Sequence, residues 1–129
     1  MRIIRGYRVT REYLTTHNYT VFVFGDNLLR VGTAGGAKFR DLPNTHGFIT
    51  KKRPSMEPEA FYTPDEYQSV FDEEANRLVE YVRNLPNTQF LVTRLGAGLA
   101  NKFGIFETII RPQLPKLLEP YDNVYLLWD

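Results

Sequence analysis

The sequence predicts a single three-layer α/β/α domain, residues 1–129, built on a mostly parallel, mixed sheet with helices on both faces. Short runs of β-branched and aromatic residues alternate along the chain with segments whose apolar residues recur every three or four positions, the pattern of a layered α/β protein. The 129 residues suit one core, and no stretch reads as a linker, an internal repeat or a low-complexity tract. Seven of the nine glycines fall in two clusters, Gly25, Gly32, Gly35 and Gly36, then Gly96, Gly98 and Gly104, and each cluster directly follows a predicted strand.

Taken in order, Arg2 to Val9 is expected as an edge strand and Thr10 to Thr16 as a short helical turn. Tyr19 to Phe24 (YTVFVF) is a continuous β-branched and aromatic run, as in a strand buried on both faces, and Gly25-Asp26-Asn27 ends it. Thr33 to Leu42 opens on small residues and continues through Ala37, Lys38, Phe39 and Arg40, which predicts a helix. Thr45 to Thr50 is a short strand, followed by the longest loop, the polar, proline-bearing stretch Lys51 to Tyr62. The clearest helix begins at Thr63, because Thr63-Pro64-Asp65-Glu66 supplies an N-cap, a proline at the first helical position and a glutamate three residues after the cap. Its stripe (Tyr67, Val70, Phe71, Ala75, Leu78, Val79, Val82) runs until the turn around Pro86. Gln89 to Leu95 is the next strand. Phe103 to Leu118 carries a further helical stripe in which Pro112 and Pro115 predict a kink or two shorter helices. Asn123 to Trp128 closes the chain as a last strand. Strands joined by helices imply right-handed crossovers.

Composition narrows the function classes. Sixteen Lys and Arg against fifteen Asp and Glu leave a net charge of +1, which argues against a protein that coats nucleic acid and against a polybasic membrane anchor. Without cysteine there is no disulfide scaffold, thiolate zinc site or cysteine nucleophile, and His17 and His46 are too far apart to suggest a metal site, so no metal or cofactor is expected. No run approaches the ~20 apolar residues of a spanning helix. Met1-Arg2-Ile3-Ile4-Arg5 lacks the apolar core of a signal peptide, and the expected location is the cytoplasm.

Ligands of open parallel sheets bind beyond the carboxyl ends of the strands, where both glycine clusters are expected to meet. Glycine lets backbone N–H groups approach a ligand, and a helix starting there aims its positive end at an anion, so a phosphate is the natural occupant. The first cluster matches neither the nucleotide-triphosphatase loop nor a clean Gly-x-Gly-x-x-Gly, which disfavours a nucleotide triphosphatase or an ordinary dinucleotide dehydrogenase. Turns and tight helix packing are the competing explanation. The candidate ligand-binding residues are Gly25, Gly35, Gly36, Ala37, Lys38 and Thr50 on the first side and Arg94, Gly96, Ala97, Gly98 and Leu99 on the second. Arg94 and Lys102 are candidates to neutralise the anion, Arg94 being equally suited to a surface salt bridge. His46 is either a base or a solvated loop histidine, and Lys51-Lys52-Arg53 either a phosphate or nucleic-acid clamp or simply a solvated run. Phe61, Tyr62 and Tyr67 either stack on a base or pack in the core.

The order of these motifs resembles a macrodomain, the ADP-ribose-binding α/β fold. Arg5 to Thr10 lies where macrodomains have a Gly-Asp-Ile-Thr-type segment, and Phe22 to Asn27 (FVFGDN) resembles the strand ending in Ala-Asn. Gly35-Gly36-Ala37 resembles the glycine-rich helix start, and Leu95 to Gly104 the Ile-Gly-Thr-Gly-x-x-Gly phosphate loop. A closer resemblance is to a small phage and bacterial family with a Phe-Gly-Ser/Asp-Asn-Leu motif and a Gly-x-Gly-Leu-Ala loop, matched here by Phe24 to Leu28 and Gly96 to Ala100. That family also has a Gly-Ala-Ala-Lys-type helix start and a Tyr-Ala-Ile-Pro-Thr-Lys-like strand, with Gly36-Ala37-Lys38 and Gly47 to Lys51 in those places.

The macrodomain resemblance implies that Asn27 contacts a ribose and that Asp26 beside it accepts sugar hydroxyls or orients an attacking water. Asn27 is equally a turn residue bonding its own backbone. The macrodomain aspartate that receives the adenine amino group is missing, since Tyr7 and Arg8 occupy that region, with Glu12 or Asp26 as substitutes. The expected partner is a phosphate-bearing, nucleotide-derived small molecule such as ADP-ribose, and an enzyme acting on it would hydrolyse an ADP-ribosyl or ribose-phosphate bond. The alternatives are a non-catalytic module that sequesters a nucleotide signal, and a protein or nucleic-acid interaction module working through the basic loop.

Overall fold

A computed structural model describing residues 1–128 contains one five-stranded sheet. Its strands are β1 (Arg2–Ile3), β2 (Thr20–Asn27), β3 (Thr45–Lys51), β4 (Gln89–Val92) and β5 (Val124–Leu126), in the spatial order β1-β5-β4-β2-β3. Every neighbouring pair is parallel, so the expected mixed sheet is instead uniformly parallel. The physical reason is connectivity: each link between sequential strands carries a helix or a 3₁₀ turn and returns to the starting end of the sheet, and none is a hairpin. The sole antiparallel pairing among the described residues is an isolated bridge between Lys51 and Phe61.

The predicted N-terminal strand survives only as two residues, because the chain leaves the sheet before Gly6, which adopts a φ of 69°. At the other end of the chain, β5 is shorter than expected, yet Leu127 still donates to the Val92 carbonyl (2.8 Å) and the Trp128 indole to that of Thr93 (2.8 Å).

The two faces of the sheet are covered unequally. On one, helices α2 (Pro64–Asn84) and α3 (Arg111–Leu118) bury the main core, in which Phe71, Leu78, Phe106 and Leu114 meet Val23 and Phe90 of the sheet. On the other, α1 (Arg11–Thr16) and a 3₁₀ turn at Gly35–Phe39 cover a smaller cluster of Leu14, Phe22, Phe24, Ala37, Phe39 and Leu91. The helix expected over 33–42 contracts to that five-residue turn. Gly32 and Gly35 hold φ values of 99° and 58°, outside the α region, and Pro43 disfavours helix at the residue before it.

Helix α2 starts as predicted. The Glu66 N–H donates to Thr63 Oγ1 (3.4 Å) and the Thr63 N–H to Glu66 Oε1 (3.0 Å), a reciprocal cap. The interruption expected near Pro112 takes the form of a π-helical turn, Phe106–Ile110, leading into α3. The widened turn accommodates a proline that lacks an N–H and whose ring would otherwise crowd the carbonyl four residues back.

Strand β3 lies at the edge of the sheet, and α2 satisfies the outward backbone groups of Ile49. The Ile49 N–H donates to buried Glu74 (2.7 Å), and the Tyr67 hydroxyl donates to the Ile49 carbonyl (2.6 Å). Burial pushes the Tyr67 phenol pKa up, which keeps it a neutral donor. Tyr67→Phe leaves the Ile49 carbonyl unpaired in the interior, and urea unfolding is expected to show a loss of about 1–2 kcal/mol.

From β1 to β2 to β3 the chain moves one way across the sheet, over the face of α1 and the 3₁₀ turn. From β3 to β4 to β5 it moves the opposite way, over the face of α2 and α3. The loops leaving β2 and β4, which are adjacent, therefore part to opposite faces, and a crevice opens between them.

Candidate functional site

That crevice holds both glycine clusters, Gly104 excepted. They line one open cleft of about 630 Å³, a volume in the ordinary range for small-molecule sites. Gly25, Gly35, Gly36 and Ala37 form the β2 side, Arg94, Gly96, Gly98 and Leu99 the β4 side, and Thr50 and Lys51 arrive from β3. Gly25 lies at the floor of the cleft, beside Thr50 and Gly96. A Cβ placed there would lie 3.3 Å from Thr50 Oγ1 and 3.9 Å from the Gly96 nitrogen, so any side chain would begin to fill the floor of the cleft.

Two predicted residues stay outside. Lys38 is exposed and holds its ammonium 5.0 Å from the centre of the Phe39 ring, while Ala97 packs against the main core. In the first case the short 3₁₀ turn, where a regular helix was expected, directs Lys38 away from the cleft.

Asp26 also lines the cleft, but its carboxylate is committed. The Arg40 guanidinium donates to both of its oxygens (2.9 and 2.7 Å), Arg30 approaches at 3.4 Å, and the Asn27 N–H donates at 2.8 Å. The Asp26 side chain is only 2% exposed. Space for it comes from β3, where Gly47 has no side chain; a Cβ at that position would overlap the carboxylate. Arg40 in turn donates to the carbonyls of Gly32 (3.0 Å) and Val31 (3.2 Å), tying the glycine-rich loop to the sheet. Asp26 thus anchors a loop here. Asn27 takes its structural alternative: its amide donates to the Val31 carbonyl (2.9 Å) and accepts from the Leu29 N–H (3.0 Å). Thr50 donates to the Asp26 carbonyl (3.2 Å).

Sequence reasoning missed Arg40, which looked like one more polar residue on a helix. The available signal was the pairing of a buried-strand aspartate with an arginine just past a short apolar turn, and only the fold shows that they meet.

Charge on the cleft is unbalanced. Its lining contributes Arg40, Lys51 and Arg94 against Asp26, which Arg40 already neutralises. Lys51 donates to the Ser55 carbonyl (2.7 Å) and sits 4.5 Å over the Phe61 ring, and partial burial lowers its pKa. The Arg94 guanidinium lies 4.9 Å over Phe106. Neither forms an ion pair among the described residues. The rest of the basic run behaves differently, since Lys52 pairs with Glu66 (2.8 Å), holding that carboxyl at about 2, and Arg53 pairs with Glu57 (3.3 Å). The N–H groups of Gly35, Gly36, Gly96 and Gly98 donate to no acceptor among the described residues. They belong to turns, so the expected contribution of long helix ends at the cleft is replaced by loop N–H groups.

Of the remaining candidates, Glu12 does not line the cleft, and Tyr62 and Tyr67 are core residues. His46 is in β3, beside Tyr81 with ring centres 5.4 Å apart, and outside the cleft. Burial, with Arg30 and Arg77 nearby, holds its pKa below 6.5. The unfolded chain then binds the proton more readily, so this contribution to stability is complete above pH 6.5 and is lost as pH falls below it. Unfolding midpoints between neutral and mildly acid pH are expected to fall less steeply in His46→Gln than in the native protein.

Fold and site together define a small parallel α/β domain with a cationic, glycine-lined cleft at the switch point of its sheet. The chain belongs to a family of unknown function, DUF7831, whose profile matches residues 4–103. No curated protein and no solved structure matches it. The matched segment contains the whole cleft lining and stops short of α3 and β5. No helix among the described residues is long and apolar enough to cross a membrane.

Proposed function

We propose that the cleft binds a phosphate-bearing, nucleotide-derived small molecule of the ADP-ribose kind and holds it without cleaving it. The carrying observation is the meeting of both glycine loops around Lys51 and Arg94, two cations that form no salt bridge among the described residues. Loop N–H groups supply directional donors for phosphate oxygens, and the two cations supply charge at short range. The macrodomain-like motif order supports the same ligand class. Binding is favoured over hydrolysis because Asp26, the one carboxylate lining the cleft among the described residues, already accepts from Arg40, Arg30 and the Asn27 N–H and is nearly inaccessible, a poor position for activating water.

The test is calorimetry with pyrophosphate, ADP-ribose and common nucleotides, followed by product analysis of any ligand that binds. At least one organic diphosphate is expected to bind and to be recovered intact. Gly98→Val is the informative variant, because a Cβ there meets nothing within 4 Å and the fold should tolerate it while the side chain occupies the cleft. Its stability is expected to match the parent and its affinity to fall by about tenfold or more. Undiminished binding in that folded variant would place the ligand elsewhere.

A further inference from the structure

The apolar side chains left in solvent are unevenly distributed. Of eleven large hydrophobic residues that are exposed, six (Leu28, Leu29, Val31, Met56, Leu99 and Phe103) belong to the three loops at the carboxyl ends of β2, β3 and β4. They gather as a collar at that end of the sheet, linked in part through Lys51 and Phe61. The Leu28 N–H donates to the Lys51 carbonyl (3.1 Å), the Lys51 ammonium lies 4.0 Å from the Met56 sulfur and over Phe61, and the Phe61 ring is 6.4 Å from that of Phe103. Val31 and Leu99 continue the collar along the cleft walls, whereas Leu28, Leu29, Met56 and Phe103 lie outside the cleft lining. A small molecule seated in the cleft would leave those four uncovered. A cluster of exposed apolar side chains at one end of a domain marks a place where something larger docks.

The charge says what kind of partner fits. Residues 28–34, 51–61 and 93–104 carry six cations against Glu57 and Glu59, a formal +4; Arg30, Lys52 and Arg53 are paired with Asp26, Glu66 and Glu57, which leaves Lys51, Arg94 and Lys102 against Glu59. The whole chain is only +1, which leaves −3 on the remainder. A second copy meeting this face symmetrically would set like charges against each other. Nucleic acid fits the collar poorly, because its exposed side chains are mainly aliphatic or thioether, not flat stacking rings, and Lys52 and Arg53 are already paired within the chain.

We infer that the collar around the cleft is a docking surface for an acidic protein segment bearing apolar side chains, with Leu28, Met56 and Phe103 as its apolar contacts and Lys51, Arg94 and Lys102 as its charge partners. This goes beyond the small-molecule reading and does not require it.

A random peptide display library panned on the full chain provides the test, with Leu28→Ser/Met56→Ser as the counter-surface. Both residues are more than half exposed and neither lines the cleft, so the double variant is expected to keep the parent's unfolding midpoint and its pyrophosphate affinity. Enriched peptides are expected to combine Asp or Glu with Leu, Ile, Met or Phe, to bind the double variant about tenfold more weakly, and to lose affinity in high salt. Any of four results would overturn the proposal: no enrichment over the double variant, enrichment of basic or uncharged peptides, self-association in sedimentation that the double variant abolishes, or equal sensitivity of a single-stranded oligonucleotide to the same substitutions. Because pyrophosphate binding is measured in parallel, failure of the docking surface and failure of the cleft reading give separate signatures.

Discussion

Gly96→Ala is expected to destabilise the protein by about 2–4 kcal/mol and to abolish the anion binding proposed for the cleft in whatever fraction stays folded. Two effects add. Gly96 holds a φ of 76°, a left-handed conformation that an L side chain occupies only with strain. The new Cβ would also stand 2.6 Å from Ile110 Cδ1, a fully buried side chain with little room to retreat. Relief by moving the loop carries the Gly96 N–H away from Gly25 and deforms the floor of the cleft. Denaturant unfolding measures the first effect and pyrophosphate calorimetry the second. A variant as stable as the parent would mean that the left-handed turn is not required. The comparison with Gly98→Val is instructive, since that glycine meets no such obstacle and should separate ligand binding from folding.

Asp26→Leu is the second substitution with a large expected effect, a loss of about 3 kcal/mol. The carboxylate is nearly inaccessible and balances Arg40, with Arg30 close by, so its removal leaves a partly buried guanidinium without its counter-charge. The Arg40 side chain is 24% exposed and regains some hydration, which keeps the figure at the lower end for broken buried pairs. Asp26→Leu combined with Arg40→Met is expected to recover much of that stability, because apolar side chains of similar size can replace a buried pair. It should not recover pyrophosphate affinity, because Arg40 no longer ties the carbonyls of Val31 and Gly32. Equal losses of stability in the single and double variants would show that the pair does not act as a unit.

Several elements were legible in the sequence for local reasons. The capping residues of α2 are contiguous, its stripe repeats at helical spacing, and the run Thr20 to Phe24 is apolar enough to be buried on both faces, although Tyr19 before it is exposed. Glycines directly after strands also pointed to the end of the sheet where a site would form. What was not legible depends on residues distant in the chain. Arg40 and Asp26 are fourteen residues apart and meet only because the 3₁₀ turn folds back over β2. Lys51, Lys52 and Arg53 form one basic run in the sequence, yet acids elsewhere in the chain neutralise the latter two and leave Lys51 to the cleft. Asn27 had two uses open to it, and the loop at 28–31 took both ends of its amide.

The sequence by itself determined the α/β class, the position of α2, the two glycine loops and the near-neutral total charge, because propensity, periodicity and composition are properties of short segments. Only the tertiary structure decided that the sheet is uniformly parallel, that the two loops face each other across β2 and β4, and which charges remain unpaired there. Strand order and ion pairing depend on contacts between distant segments, and those contacts are settled when the two faces of the sheet bury their different helices.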